Sequence, residues 1–95
     1  MQDLLFVWDG EKNQANIKNH GVSFEEAQTA FYDENATVYY DPDHSEDEDR
    51  FILLGMSFRL HVLVVCHCYR ESESIIRITA ARKADKDERN AYGRR

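Results

Sequence analysis

Three arginines carry the clearest chemical signal in this sequence: Arg50, Arg77 and Arg82. A guanidinium group presents a planar fork of N–H donors that matches the oxygens of a phosphate. Arg50 begins one predicted β-strand, whereas Arg77 and Arg82 lie within and at the end of another, so one small sheet would collect all three. Together they predict a phosphodiester-binding site, although a single surface arginine more often forms an ordinary ion pair.

A histidine is the side chain best suited to move protons beside such a site, because imidazole changes its charge close to neutral pH. His61 and His67 fall on one face of a predicted strand, where a buried structural role is more common. His20 lies at the end of a predicted helix, where the helix dipole would favour its charged form. His44 lies in an acidic loop and is expected to be exposed. The proton-transfer group therefore stays open among His20, His61 and His67.

Cys66 and Cys68 are the two cysteines of the chain. Side chains two residues apart in a strand share a face, so both thiols would point the same way, while His61 and His67 would point the other way. These four side chains cannot converge on one metal ion without further ligands, and a disulfide within the pair would distort the strand. We therefore predict reduced thiols and no metal site; a zinc-binding regulator is the alternative.

Charge is distributed unevenly along the chain, whose formal net charge is −6. Residues 1–50 carry thirteen acids against three bases, and residues 41–50 alone contribute −5. Residues 76–95 instead carry seven bases against three acids. The basic end could hold an anionic ligand, whereas the acidic surface would suit docking on a basic partner.

Length and composition indicate a single folded domain over residues 1–95. Hydrophobic residues make up 42% of the chain and charged residues 32%, which is typical of a folded domain rather than a disordered one. The longest apolar run, residues 60–66, is far shorter than the roughly 20 residues that a membrane-spanning helix needs. Residues 1–3 lack the basic pattern that begins a signal peptide. We therefore expect a cytoplasmic protein with no membrane partner.

The elements that would position these groups follow the order β-α-α-β-β-β-β-α. Asp9 is predicted to cap the first helix and Gly21 to end it, while Ser23 and Glu26 form a capping-box pattern at the start of the second. The prediction is an α+β domain with a short N-terminal strand, two N-terminal helices, a four-stranded antiparallel sheet and a C-terminal helix, its helices packed on one sheet face. The predicted strands are residues 4–8, 36–40, 50–58, 60–69 and 75–81, and the helices begin at residues 9, 23 and 85.

Alternation along the last strand would decide which way its arginines point. Its two predicted faces are Arg77, Thr79 and Ala81 on one side and Ile76, Ile78 and Ala80 on the other. Because the isoleucines are expected to face the helices, Arg77 is expected to face away from them. Arg82 falls at the strand end, beside a C-terminal helix that residues 85–88 should begin with a capping box.

A set of motifs spread over almost the whole chain resembles the BrnT toxins. The first part comprises FVWD at residues 6–9, then Lys12, Asn16 and Lys18, then HGVSFEEA at residues 20–27 with Phe31 and Asp33. The second part comprises DRFI at residues 49–52, Gly55, IRITAARKA at residues 76–84, Glu88, Arg89 and Tyr92. The resemblance implies a compact RelE-like fold and a ribonuclease toxin of a type II toxin–antitoxin pair that blocks translation.

The resemblance also implies a partner and a set of site residues. We expect RNA as the substrate and no metal or cofactor. We also expect a BrnA-like ribbon-helix-helix antitoxin as the partner, and contact with operator DNA only through this antitoxin. RNA cleavage then needs a base for the 2′-hydroxyl, donors for the phosphate charge and an acid for the 5′-oxygen. The residues expected to form the catalytic site are Arg50, Arg77, Arg82, His20 and Lys12. Those expected to contact RNA are Tyr92, Arg89 and Lys83, and for Tyr92 packing on the sheet is an equal alternative.

A non-catalytic interaction module is the second interpretation. Ala80 stands where the family commonly has a serine, and an acidic surface opposes the approach of RNA phosphates. Such a degenerate toxin would keep its antitoxin and act in autoregulation of its operon.

Overall fold

The computed structural model describes residues 4–70 and 72–93. Within these residues the chain forms five β-strands and three α-helices. In chain order they are β1 (Leu5–Val7), α1 (Gly10–His20), α2 (Phe24–Thr29), β2 (Thr37–Tyr40), β3 (Phe51–Met56), β4 (Val62–Arg70), β5 (Ser72–Lys83) and α3 (Lys86–Ala91). Short 3₁₀ helices follow α2 at Ala30–Tyr32 and β2 at Pro42–His44. In this part of the chain no helix is long and apolar enough to cross a membrane.

The five strands form one mixed sheet in the order β1-β5-β4-β3-β2. Strands β2 to β5 are antiparallel neighbours in chain order, which confirms the predicted meander. β1 pairs in parallel with β5, and Leu5 lies opposite Ile75. The predicted four-stranded antiparallel sheet is therefore five-stranded and mixed, because β1 finds its partner at the far end of the chain, where local sequence patterns carry no information.

The helix ends confirm most of the predicted caps. The Asp9 side chain accepts backbone N–H donors in the first turn of α1, and Gly21 takes a left-handed φ of 70° after the last turn. The Ser23 hydroxyl accepts the backbone N–H of Glu26 at the start of α2. Glu26 does not complete a capping box, because its carboxylate is buried and accepts the Ser57 hydroxyl at 2.6 Å.

The main core lies between α2 and one face of the sheet. Its buried members are Val22, Phe24, Ala27, Ala30, Leu53, Leu63, Val65, Ile76, Ile78 and Ala81. The opposite face, called the outer face below, carries a smaller buried cluster of Leu54, Val64 and Ala84 with Tyr92 packed against it. Tyr92 directly follows α3, so this helix packs at the outer face, and the prediction that all helices share one face is wrong.

A β-bulge in β5 changes the predicted alternation of this strand. The register between β4 and β5 shifts at Thr79, which is the extra residue on the β5 side. Ala81 therefore turns into the core, where it is 1% exposed. Ala80 instead lies opposite Cys66 on the outer face. The sequence predicted the reverse for these two alanines because regular alternation gives no sign of an inserted residue.

An asparagine on α1 holds the bulge in place. The Asn16 amide nitrogen donates to the Ala81 carbonyl at 2.8 Å, and its amide oxygen accepts the Ala81 N–H at 3.1 Å. The same nitrogen donates to the Val22 carbonyl at 2.8 Å. A side-chain amide thus replaces a neighbouring strand at the edge of β5. Since the bulge shifts the alternation by one residue, Arg82 shares the outer face with Arg77.

Candidate functional site

A pocket of about 280 Å³ lies where α1, the bulge of β5 and the loop before β3 meet. Its lining residues are Lys12, Asp41, His44, Arg50, Cys66, Thr79 and Ala80. Lys12 and Arg50 bring positive charge from separate parts of the chain, and Thr79 and Ala80 at the bulge also line the pocket. The pocket therefore brings two cationic side chains from separate parts of the chain beside open space.

Arg50 enters this pocket from the residue that precedes β3. Its side chain is 31% exposed, and its Nη2 atom lies 3.4 Å from Glu48 Oε1. Its Nε atom is buried and has no hydrogen-bond partner among the described residues. A buried N–H donor without an acceptor costs free energy.

Arg77 lies beside the pocket on β5. Its Nε atom donates to the Cys68 sulfur at 3.3 Å, and its Nη2 atom donates to Glu48 Oε1. The bond to Cys68 and the neighbouring Glu48 carboxylate raise the pKa of Arg77 above its ordinary value. Glu48 thus accepts from both Arg50 and Arg77, so part of the acidic loop folds onto the arginines instead of extending into solvent.

Arg82 pairs with α3 on the same outer face. Its two terminal nitrogens donate to the two Glu88 carboxylate oxygens at 2.7 and 2.8 Å. This paired bond raises the pKa of Arg82 and lowers the pKa of Glu88. Glu88 also accepts the Asp85 backbone N–H at 2.8 Å, which confirms the predicted capping box of the last helix. Arg82 therefore anchors α3 to the end of β5.

Cys66 lies in the wall of the pocket as a free thiol. Burial, and after it the charge of Asp41, raise the pKa of this thiol, while the charges of Arg82 and Arg50 act in the opposite direction. The thiol is therefore protonated at neutral pH, and the fields of both arginines reach this side of the pocket. Among the described residues no three His, Cys, Asp or Glu side chains are grouped as metal ligands.

The structure brings Lys12 to the pocket and leaves His20 away from it. The two residues are separated by eight positions on α1, which corresponds to about 12 Å along the helix axis. His61 lies directly before β4, with its Nδ1 atom 2.8 Å from the buried Glu26 carboxylate. His67 is fully buried in the core, and this burial lowers its pKa. None of the three predicted proton-transfer histidines lines the pocket.

The residues predicted to contact RNA gather around α3. The Tyr92 ring packs against the small outer-face cluster, and its hydroxyl donates to the Asp33 carboxylate. Lys83 and Arg89 line a separate pocket of about 220 Å³. Arg89 also donates to the backbone carbonyl of Ala84 at 2.9 Å. The structure therefore places Lys83 and Arg89 together, whereas Tyr92 packs on the outer face, and none of the three lines the Lys12 pocket.

Sequence reasoning missed two residues of the pocket, Asp41 and His44. The His44 Nδ1 atom lies 2.8 Å from Asp41 Oδ2. The His44 side chain is 74% exposed, as expected, whereas the Asp41 side chain is only 12% exposed. The pattern Asp-Pro-x-His could have indicated this pair. In a 3₁₀ turn, residues three positions apart lie on the same side of the helix, so the two side chains can meet.

A family model described as the ribonuclease toxin BrnT of type II toxin–antitoxin systems matches residues 8–88. The chain belongs to the BrnT family. Members of this family are ribonuclease toxins, and a type II toxin has an antitoxin as its partner. The matched span includes Lys12 and the three predicted phosphate-binding arginines, and it ends before Arg89 and Tyr92.

The fold of this BrnT-family chain is similar to that of a solved ribonuclease toxin, BrnT from Brucella abortus. The TM-score is 0.65, the sequences are 21% identical, and the match covers 87% of this chain and 99% of the Brucella chain. This likeness confirms the α+β fold. No curated protein sequence matches the chain significantly.

Proposed function

We propose that this BrnT-family chain cleaves RNA phosphodiester bonds without a metal ion or cofactor and thereby inhibits translation. The observation that supports the proposal best is the convergence of Lys12 and Arg50 on one pocket, with Arg77 beside it. Phosphoryl transfer builds up negative charge on the phosphate, and preorganised donors are the main means of stabilising it. Here those donors are held by α1, by the residue that directly precedes β3, and by β5.

In this proposal the phosphate displaces the Glu48 carboxylate from the two arginines that it contacts. Its Oε1 atom accepts from Arg50 and Arg77, and a phosphate oxygen can accept from the same N–H donors. The Nε atom of Arg50 is buried and has no partner among the described residues, so the donors that Glu48 leaves to the phosphate are the terminal nitrogens of the two arginines. Lys12 lines the same pocket from α1, and the positive charge of Arg82 acts on Cys66 in the pocket wall.

Arg50→Ala tests this assignment. Purified wild-type chain and Arg50→Ala are compared for cleavage of single-stranded RNA in excess EDTA. Loss of one donor to the developing charge should lower kcat about 100-fold or more. Arg59→Ala is the matched control, because Arg59 is exposed in the turn between β3 and β4 and loses the same charge. Equal cleavage by all three proteins would contradict the proposed site.

The neutralising partner in this proposal is a BrnA-like antitoxin with a ribbon-helix-helix domain, through which operator DNA is contacted. Membership of a type II family supports an antitoxin of some kind. Charge supports a basic contact segment on it, because residues 41–50 carry six acids against a single base and lie next to the pocket. A partner covering this loop would close the route to the arginines.

A second candidate function is favoured by the ion pairs themselves. Glu48 pairs with Arg50 and Arg77, and Glu88 pairs with Arg82, so the predicted phosphate-binding arginines already have acidic partners within the chain. A chain in which these pairs do not open would act only as an interaction module in operon control. Expression of the chain alone in cells separates the two candidates, since a ribonuclease arrests growth and an interaction module leaves it unchanged.

A further inference from the structure

We infer that His44, oriented by Asp41, is the general base for the RNA-cleavage reaction of the arginine pocket. The inference rests on the proposed function and adds the proton-transfer group that the predicted site lacks. It comes from the position of an Asp–His pair in the wall of the same pocket as Lys12 and Arg50.

The pair has the geometry that a general base requires. His44 Nδ1 lies 2.8 Å from Asp41 Oδ2, and Asp41 is the hydrogen-bond partner of this ring among the described residues. A carboxylate at Nδ1 selects the tautomer in which Nδ1 carries the proton and Nε2 is free to accept one. The ring is 74% exposed, so a substrate can reach Nε2.

The backbone ties this pair to Arg50. The Asp41 N–H donates to the Arg50 carbonyl at 2.9 Å, so both residues belong to one closed loop. Ser45 strengthens the closure, since its hydroxyl donates to the Asp41 carbonyl at 2.6 Å and accepts the Arg50 N–H at 2.9 Å. The proposed base and the phosphate-binding cation thus belong to one closed loop, which favours the proximity that catalysis requires.

The other histidines of the chain are placed elsewhere. His61 is occupied by the buried Glu26 carboxylate, and His67 is enclosed in the core. His20 is about two turns along α1 from Lys12. The chain has four histidines, all within the described residues, so His44 is the imidazole that lines the pocket.

The proposed step moves one proton and exchanges one bond at phosphorus. The proton of the 2′-hydroxyl passes to Nε2 of His44, and the 2′-oxygen forms a bond to phosphorus. The bond from phosphorus to the 5′-oxygen breaks with its electron pair, and this oxygen takes a proton from solvent. The products are a 2′,3′-cyclic phosphate and a 5′-hydroxyl, with Arg50 and Lys12 beside the phosphate oxygens throughout.

His44→Ala, with and without added imidazole, tests the inference. Loss of a general base should lower kcat about 100-fold or more, while KM changes little because Arg50 and Lys12 still hold the phosphate. Free imidazole can occupy the space left by the side chain and should raise the kcat of His44→Ala about 10-fold or more. His44 is exposed, and a circular-dichroism melt will show whether the variant folds like the wild type.

Asp41→Asn and Asp43→Asn form a matched pair in the same experiment. Asp43 is exposed and lies two positions from Asp41, so the two variants lose the same charge in the same turn. Asp41→Asn should lower kcat with KM nearly unchanged, and Asp43→Asn should leave both close to wild type.

Three results would overturn the inference while leaving the proposed function standing: wild-type kcat in His44→Ala, failure of imidazole to restore its activity, or a change confined to KM. Absence of cleavage by the wild type, on free RNA and on translating ribosomes, would overturn the proposed function and this inference with it.

Discussion

A single carboxylate oxygen, Glu48 Oε1, lies between two cations of the candidate site. It accepts from Arg50, which directly precedes β3, and from Arg77 of β5. A carboxylate and a phosphate use the same guanidinium donors, so Glu48 and RNA compete for them. At the scale of single residues, the affinity of the site for RNA therefore depends on how easily the partly exposed Glu48 side chain moves away from the arginines.

Removal of the Glu48 charge should tighten RNA binding. For Glu48→Gln we expect an affinity about 5-fold higher, equivalent to about 1 kcal/mol for a partly exposed ion pair. The measurement is the Kd for a 2′-O-methyl RNA, which lacks the attacking hydroxyl and is not cleaved. Glu46→Gln is the control, because it removes the same charge from an exposed position in the same loop. Equal gains in both variants would indicate general charge repulsion rather than competition at the arginines.

At the scale of elements, the site depends on an irregularity in β5. The bulge at Thr79 places Thr79 and Ala80 in the pocket wall and turns Ala81 into the core. Asn16 of α1 satisfies both backbone groups of Ala81. Helix α1 also carries Lys12, so the contact that stabilises the bulge also sets the distance of this cation from the sheet.

Asn16→Ala should therefore destabilise the protein and loosen the pocket. The substitution leaves the buried N–H and C=O of Ala81 and the carbonyl of Val22 without partners, at a cost of about 3 kcal/mol in total. Urea unfolding followed by circular dichroism measures this loss. Asn19→Ala is the control, since Asn19 is exposed on the same helix and should change stability by less than about 0.5 kcal/mol. Similar losses in the two variants would show that the Asn16 bonds contribute little.

At the scale of the whole molecule, an aromatic cluster encloses a histidine in the core. His67 is fully buried, with ring centroids of Phe31, Tyr69 and Phe51 at 4.8, 5.4 and 6.1 Å. Burial lowers its pKa, because a charged imidazole would lose its hydration. The folded protein therefore binds fewer protons at this site than the unfolded chain does in mildly acidic solution.

This difference in proton binding should make the fold sensitive to acid. His67 contributes stability that is fully present above its unfolded-state pKa of about 6.5 and is lost as pH falls toward the lowered folded-state pKa, with a slope of at most about 1.4 kcal/mol per pH unit. Urea unfolding at pH 7, 6 and 5 measures the slope. His67→Phe keeps an aromatic ring in the cluster and should show a smaller slope. An unchanged slope would assign the acid sensitivity to other groups.

The sequence alone determined the features that depend on neighbouring residues. The helix caps at Asp9, Ser23 and Asp85, the glycine stop at Gly21 and the antiparallel meander all follow from local propensity and periodicity, and the structure confirms them. The three arginines were singled out in the sequence by their residue type and their place in or beside predicted strands, and their role in a site stays a prediction.

Only the tertiary structure decided how these parts meet. It paired β1 with β5, placed the bulge at Thr79, brought Glu48 onto the arginines and put His44 rather than His20 in the pocket. Each of these outcomes depends on a contact across the sheet or between a loop and a strand. Such contacts are selected by packing and hydrogen bonding in three dimensions, and periodicity along the chain does not encode them.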